Sequence, residues 1–404
     1  MAATMQLCPS LVSFRGSEGE AIVKEVIFGI ELAPGFFNLV IHCSNAIEGT
    51  SFTDAAISLR GLVETQRALN KDYRDGIPKV GLVKIKDILN MHVFEEFLED
   101  GVKGIENSSA AYQQAFLTLF HFLDEKKKHE QAIEKLLTSV PQTSKSKETI
   151  MVALAHHLFS QLVPGNKYEV DKYANQLPKE CDCGCKAMIC KGDTSVGSDG
   201  TWHGRVDIVL NHTIAVAVLK DQPNSDDEDE YNDTDEEGPP SKQRKACKND
   251  TVLLERKVLN KVLAEAITNS FAQVNIHEKT LSHFLIPTFG ATSEHITICL
   301  YDSENDYLLH IKDELLLWKP IGVAKQLNVR TLVVIWLFLN FTIFTHKKLH
   351  TLINLDKSGL HDELLECLEL YKNTETKGKF VSSESSEQLW KSMAPAVKHR
   401  KKLQ

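Results

Sequence analysis

The residues best placed to do chemistry lie between Gly200 and Lys220, in GTWHGRVDIVLNHTIAVAVLK. Asp207 stands among apolar neighbours, and Lys220 closes the uninterrupted apolar run Ile214–Leu219. Such a run reads as a strand covered on both faces. A carboxylate and a lysine at adjacent strand ends are what metal-assisted phosphodiester hydrolysis requires. The carboxylate holds a divalent cation, and the lysine orients the attacking water and offsets developing charge.

The turn joining the two strands decides whether these groups meet. A two-residue turn at Asn211-His212 or His212-Thr213 puts Asp207 on the face that carries residue 218 and Lys220. A three-residue turn puts it on the opposite face, because side chains alternate along a strand. Asn at the first turn position tolerates positive φ, so the two-residue form is the expectation.

The surrounding elements follow from apolar spacing. Ile150, Leu154, Leu158 and Leu162 recur at steps of four and predict a helix over 149–162. A cysteine-rich segment, a Gly/Ser/Asp-rich turn region and β runs at Trp202–Leu210 and Ile214–Lys220 come next. An acidic loop is followed by a long helix from about Val252 to Val274 and by strands at His283–Pro287 and His295–Tyr301.

Over residues 148–312 this order resembles the PD-(D/E)XK nuclease-like superfamily, the restriction-endonuclease-like fold. The resemblance implies an α+β core of helix, three-stranded meander, helix and strand. It places Asp207 and Lys220 at the family's aspartate and lysine positions, with Mg2+ as the cofactor of an active enzyme. The sequence departs from the pattern at Val218, where the second acid is expected and valine cannot ligate a metal. Some members supply that acid from the following helix, where Glu265 is the replacement. The leading expectation is a degenerate, catalytically impaired nuclease-like protein that retains contact with nucleic acid. The alternative is an active metal-dependent nuclease, with Asp207 and Glu265 as ligands and Lys220 as the catalytic lysine.

A second cluster, Cys181, Cys183, Cys185 and Cys190, has the spacing C-x-C-x-C-x4-C. Four thiols this close in a reducing compartment suggest Zn2+. Neighbouring C-x-C thiols reach tetrahedral corners together only if the chain turns, which points to Gly184. A non-enzymatic interaction protein with a zinc-stapled cysteine loop is thus the third functional reading. His156 and His157 sit on the preceding helix, where His157 falls close to the apolar face and reads as a packed core residue. Asp193 and Asp199 read as turn formers.

The chain has 404 residues with a net charge of −9, of which residues 221–250 hold −7 and the rest only −2. A folded part so near neutrality argues against a strong non-specific DNA binder. The insertion 221–250 is expected to stay disordered. Within it, Ser225 and Thr234 each have an acid three residues on, the pattern acid-directed kinases use. Lys242, Arg244, Lys245 and Lys248, and Lys398, Arg400, Lys401 and Lys402, have the character of nuclear import signals.

Four regions are expected. Residues 1–147 form a helical region and linker, with Phe116, Leu119, Phe120 and Leu123 on one helical face. Residues 148–312 form the core, 313–372 a C-terminal helical region and 373–404 a disordered tail. The run Thr331–Thr345 contains Asn340 and is shorter than the roughly 20 apolar residues of a spanning helix. It reads as a core helix with Trp336 inside, so no membrane contact is expected. The N-terminus lacks a basic start before an apolar stretch. Nine cysteines are too dilute for a secreted scaffold, so an intracellular, nuclear or cytoplasmic, setting is expected.

Overall fold

A computed structural model describes residues 9–60, 81–138, 146–220, 255–319 and 325–377. The acidic insertion with Ser225, Thr234 and its basic cluster lies outside the described residues, as does the cluster Lys398–Lys402.

The protein is a mixed α+β structure. Its main helices are α1 (Glu18–Phe28), α2 (His92–Asp100), α3 (Ala110–Asp124), α4 (Lys126–Thr138), α5 (Lys147–Leu154), α6 (Arg256–Leu281) and α7 (Val329–Leu339). They flank a sheet of ten strands: β1 (Phe36–Leu39), β2 (Leu82–Val83), β3 (Tyr168–Asp171), β4 (Lys191–Gly192), β5 (Ile208–Leu210), β6 (Ile214–Val218), β7 (Ile286–Ala291), β8 (His295–Asp302), β9 (Tyr307–Ile311) and β10 (Leu315–Leu316). The spatial order is β2-β1-β9-β8-β7-β6-β5-β3-β4, with β10 on β8.

In its centre, α5 leads into an antiparallel meander of β3, β5 and β6. The helix α6 then crosses over to β7, which lies parallel to β6 with Ala215 opposite Thr288. The strand that follows α6 is therefore Ile286–Ala291, starting later than His283, and His295–Asp302 is its antiparallel neighbour. The run Trp202–Leu210 is a strand only at Gly204–Arg205 and Ile208–Leu210.

The N-terminal region, expected to be mainly helical, also supplies strands. β1 pairs with β9 from far along the chain, and Ile41–Ser44 pairs with Ile57–Leu59. These segments are short, and β1 gains its hydrogen bonds from a partner more than 200 residues on, which a local window cannot register. The first residues of the expected tail are also held in place. Thr376 bridges Val196, and Lys377 donates its backbone N–H to the carbonyl of Ser195.

Each face of the sheet carries its own core. On one side Ile214, Val216 and Val218 pack with α3, α5 and α7. Ser109 caps α3 and accepts from the backbone N–H of Tyr112, and Phe116, Leu119 and Phe120 are fully buried on that helix. Helix α7 is buried along Thr331–Leu339, and the Trp336 indole donates to the carbonyl of Ala115 at 2.9 Å. It ends at Asn340, and among the described residues no helix is long and apolar enough to cross a membrane.

On the other side Ala215, Ala217 and Leu219 meet α6 through Leu259, Val262, Leu263 and Ala266. The two alanines leave room for the helix to lie close to the sheet.

Candidate functional site

The hairpin between β5 and β6 decides what Asp207 faces. Leu210 pairs with Ile214 and Ala215 with Val209, so Asn211, His212 and Thr213 form a three-residue turn. Asn211 and His212 both take positive φ, 47° and 60°, where a two-residue turn was expected to use one such asparagine. Extending this register by one pair sets Asp207 opposite Ala217. Val218 and Lys220 therefore point to the other face. Lys220 is exposed and does not line the cleft that holds Asp207, so the expected pairing of Asp207 with Lys220 is corrected by register.

Two other lysines approach Asp207. Lys147, at the start of α5, brings its Nζ to 2.6 Å from Asp207 Oδ1. Lys261, on α6, lies 3.8 Å from Asp207 Oδ2 and 3.6 Å from Glu265 Oε1. The backbone N–H of Val218 donates to Asp207 Oδ2 at 2.7 Å, tying the carboxylate across the hairpin. Asp207 and Glu265 thus gather in one cluster, with the Lys261 ammonium between them.

Glu265 is completely buried, and its meeting with Lys261 is a charge contact longer than a hydrogen bond. Burial pushes its carboxyl up to about 7, the Asp207 charge adds to this, and the Lys261 ammonium opposes it. Burial lowers the Lys261 ammonium, but the charges of Glu265 and Asp207 outweigh it and hold the group above its usual range. In sequence, Lys261 and Glu265 form an i,i+4 pair inside an apolar helical stripe. That signal marks a buried ion pair, whereas Lys147 sits in a polar segment with no local signature.

Lys147, Asp207 and Lys261 line one end of a cleft of about 780 Å3, with Glu265 buried behind them. One wall is the Ser51–Thr53 turn, held by the Phe52 N–H donating to the His203 carbonyl and the His203 N–H donating to the Thr50 carbonyl. A second is the Ser195–Arg205 hairpin, and Asn373–Lys377 closes a third. At Gly197 φ is +93°, and a Cβ would come within 2.3 Å of the Trp202 carbonyl oxygen, so only glycine fits this bend. Asp171 also faces the cleft and meets Arg205 at 3.2 Å. Burial raises the Asp171 carboxyl above its ordinary range.

A second polar group lies beyond the far end of α5. Residues Ala155–Phe159 form a π turn that carries His156 and His157, and His157 is buried. Opposite them the chain forms a tight hairpin. Cys181 donates its N–H to the Ala187 carbonyl at 2.8 Å, and Gly184 takes φ +99° at the tip, the turn the C-x-C-x-C spacing required. His157 Nε2 lies 3.2 Å from the Sγ of both Cys181 and Cys183. The donor atoms of His157, Cys181, Cys183 and Cys185 all fall within 4.8 Å of one another, a group that could hold a metal ion. Cys190 is exposed and stands outside this group.

His157 therefore joins the cysteines rather than serving only as core packing. Burial pulls its imidazole down to about 3, and that of His129 down to about 4, so both rings are neutral near pH 7.

Comparison with protein-family models, curated proteins and solved structures found no match to this chain.

Proposed function

We propose that this chain is a degenerate nuclease-like protein of the restriction-endonuclease-like superfamily, with a cleft that accepts phosphodiesters without cleaving them. The helix, meander, helix and parallel strand around β6 support the family reading. Lys261 carries the functional reading. Its ammonium stands between Asp207 and Glu265, where a shared magnesium ion would need oxygen contacts of roughly 2.0–2.1 Å.

The strand positions on Asp207's own face support the same conclusion. Ala217 and Leu219 supply neither a metal ligand nor a proton-transfer group. Lys147 and Lys261 already compensate the carboxylate charge that would otherwise recruit a cation. In this reading Lys147, Arg205 and Lys377, which line the cleft, are the groups that contact phosphates. Asp171 and Glu375 line it as well, so the contacts depend on position rather than on a strongly positive field.

The test is hydrolysis of single- and double-stranded DNA and RNA with magnesium or manganese, alongside binding of the same oligonucleotides. The expected result is no turnover, with salt-sensitive binding weakened by Arg205→Glu. Metal-dependent turnover abolished by Asp207→Ala would overturn the degenerate reading and favour the active nuclease. Absence of both turnover and binding would remove the phosphodiester from the proposal.

A further inference from the structure

We propose that Cys181, Cys183, Cys185 and His157 form a closed, tetrahedral, structural zinc site. The claim is independent of what the cleft binds. Three thiolates and an imidazole are the donor set that zinc prefers over magnesium, whose ligands are oxygens. With Zn–S near 2.3 Å and Zn–N near 2.0–2.1 Å, tetrahedral corners stand roughly 3.5–3.8 Å apart. The four donor atoms already lie within 4.8 Å of one another, so small side-chain rotations complete the tetrahedron. Four protein donors leave no open position, which is the mark of a structural rather than a catalytic zinc.

The hairpin geometry explains how so short a spacing works. Glu180 bridges Met188 and Cys181 pairs with Ala187, so the turn at Gly184 folds the three alternate cysteines towards the helix. The fourth donor then comes from the π turn, whose extra residue re-aims a side chain from the regular helical face. Cys190 lies after the hairpin has closed, and its sulfur is not among the gathered donors.

The surroundings of His157 also suit a metal ligand. Its Nδ1 lies 3.4 Å from Nδ1 of His129, whose Nε2 lies 3.6 Å from Glu125 Oε2. With His129 Nδ1 accepting from His157 Nδ1–H, His157 Nε2 is left with a free lone pair aimed at the sulfurs, and the Glu125 carboxylate stands beyond hydrogen-bond length on the far side of His129. This is the hydrogen-bonded support that metal-bound imidazoles usually receive. His129 is thus a positioning residue for the site. The ion would pin the cysteine hairpin to the end of the helix that begins at Lys147.

The experiment is metal analysis of the full chain purified under reducing conditions without added metal, followed by replacement with cobalt. The expected result is one zinc per chain, and a cobalt form with tetrahedral d–d bands and thiolate-to-cobalt charge transfer. Cys185→Ser alters an exposed residue and tests the site without opening the core. It should lose stoichiometric zinc and reduce the charge-transfer band, while Cys190→Ser keeps both. His129→Gln should keep the metal but weaken its retention against a chelator by about 10–100-fold. The proposal is overturned by a metal-free chain that yields no cobalt spectrum. It is equally overturned if Cys190→Ser loses the metal while Cys185→Ser retains it, or if the cysteines are recovered as a disulfide from a reducing lysate.

Discussion

Helix α5 and the π turn that extends it connect two polar clusters built on opposite electrostatic plans. At the start, Lys147 joins Asp207, Lys261 and Glu265, two cations against two carboxylates. At the end, His157 faces three thiols, all of them donors to a cation. Buried polar groups must find partners, because leaving water unpaired costs several kcal/mol. In the first cluster Asp207 is met by Lys147 and by the Val218 N–H, while the buried Glu265 carboxyl has, among the described residues, only the charge of Lys261, at 3.6 Å, and no hydrogen bond. The second gathers an imidazole and three thiols with no cation among them, a group that could hold a metal ion. Nearness of chemistry-bearing residues is therefore not enough to indicate a metal centre. The sign of what already stands between them decides.

The sharpest way to break this comparison is to remove the internal cation. Lys261→Met leaves Glu265 and Asp207 without their shared ammonium and should lower stability by about 3–5 kcal/mol in urea unfolding. Lys261→Met combined with Glu265→Met should recover most of that loss, since an apolar pair of similar volume is often neutral or better. A small single-variant cost would mean that Lys261 does not compensate the cluster.

The next effect is a slope with pH. The Glu265 carboxyl rises from 4.5 to about 7 on folding, with burial as the main cause. Between these values the folded state binds more protons than the unfolded chain, so this group's contribution to stability falls as pH rises. It is fully present below about 4.5 and lost as pH passes through about 7. Unfolding midpoints taken across that interval should show the fall, and Glu265→Gln should flatten it. A slope unchanged by that substitution would assign the effect elsewhere.

Asp207→Asn should cost less, about 1–3 kcal/mol, because Lys147 loses its ion pair while the amide can still accept from the Val218 N–H. Smallest of all is Lys220→Ala, which should change stability by no more than about 0.5 kcal/mol and leave oligonucleotide binding unaltered. A loss comparable to that of Asp207→Asn would return Lys220 to the site and contradict the observed register.

Much of the architecture was legible in the residues. Steps of four from Ile150 to Leu162 mark a helix whose four leucine and isoleucine side chains are all buried. The apolar run at Thr331–Thr345 is a core helix as far as Leu339 followed by a short one at Phe341–Phe344, and the strand Ile214–Val218 and the long helix after the acidic insertion stand where the residues placed them, whereas the strand Tyr168–Asp171 had no such signal. The cysteine hairpin was visible in its spacing and in Gly184. Hydrophobic periodicity is a local property, and it acts on the chain within a few residues of where it is written.

Register and partner choice belonged to the tertiary structure. Because Ile214–Leu219 is apolar on both faces, either register buries the same kind of side chain, and the pattern alone cannot choose. What chooses is packing on the two faces of the sheet, where Ile208 and Leu210 of β5 join the core of Ile214, Val216 and Val218. Ala215 and Ala217 admit the close approach of α6, while Val216 and Val218 fill the opposite core. That choice adds one residue to the turn, turns Lys220 away from Asp207 and brings in Lys147 from 60 positions earlier and Lys261 from the crossover helix. His157 likewise became a donor only when a distant hairpin folded against its helix. Such contacts arise from packing between elements far apart in the chain, and no local stretch of sequence carries them.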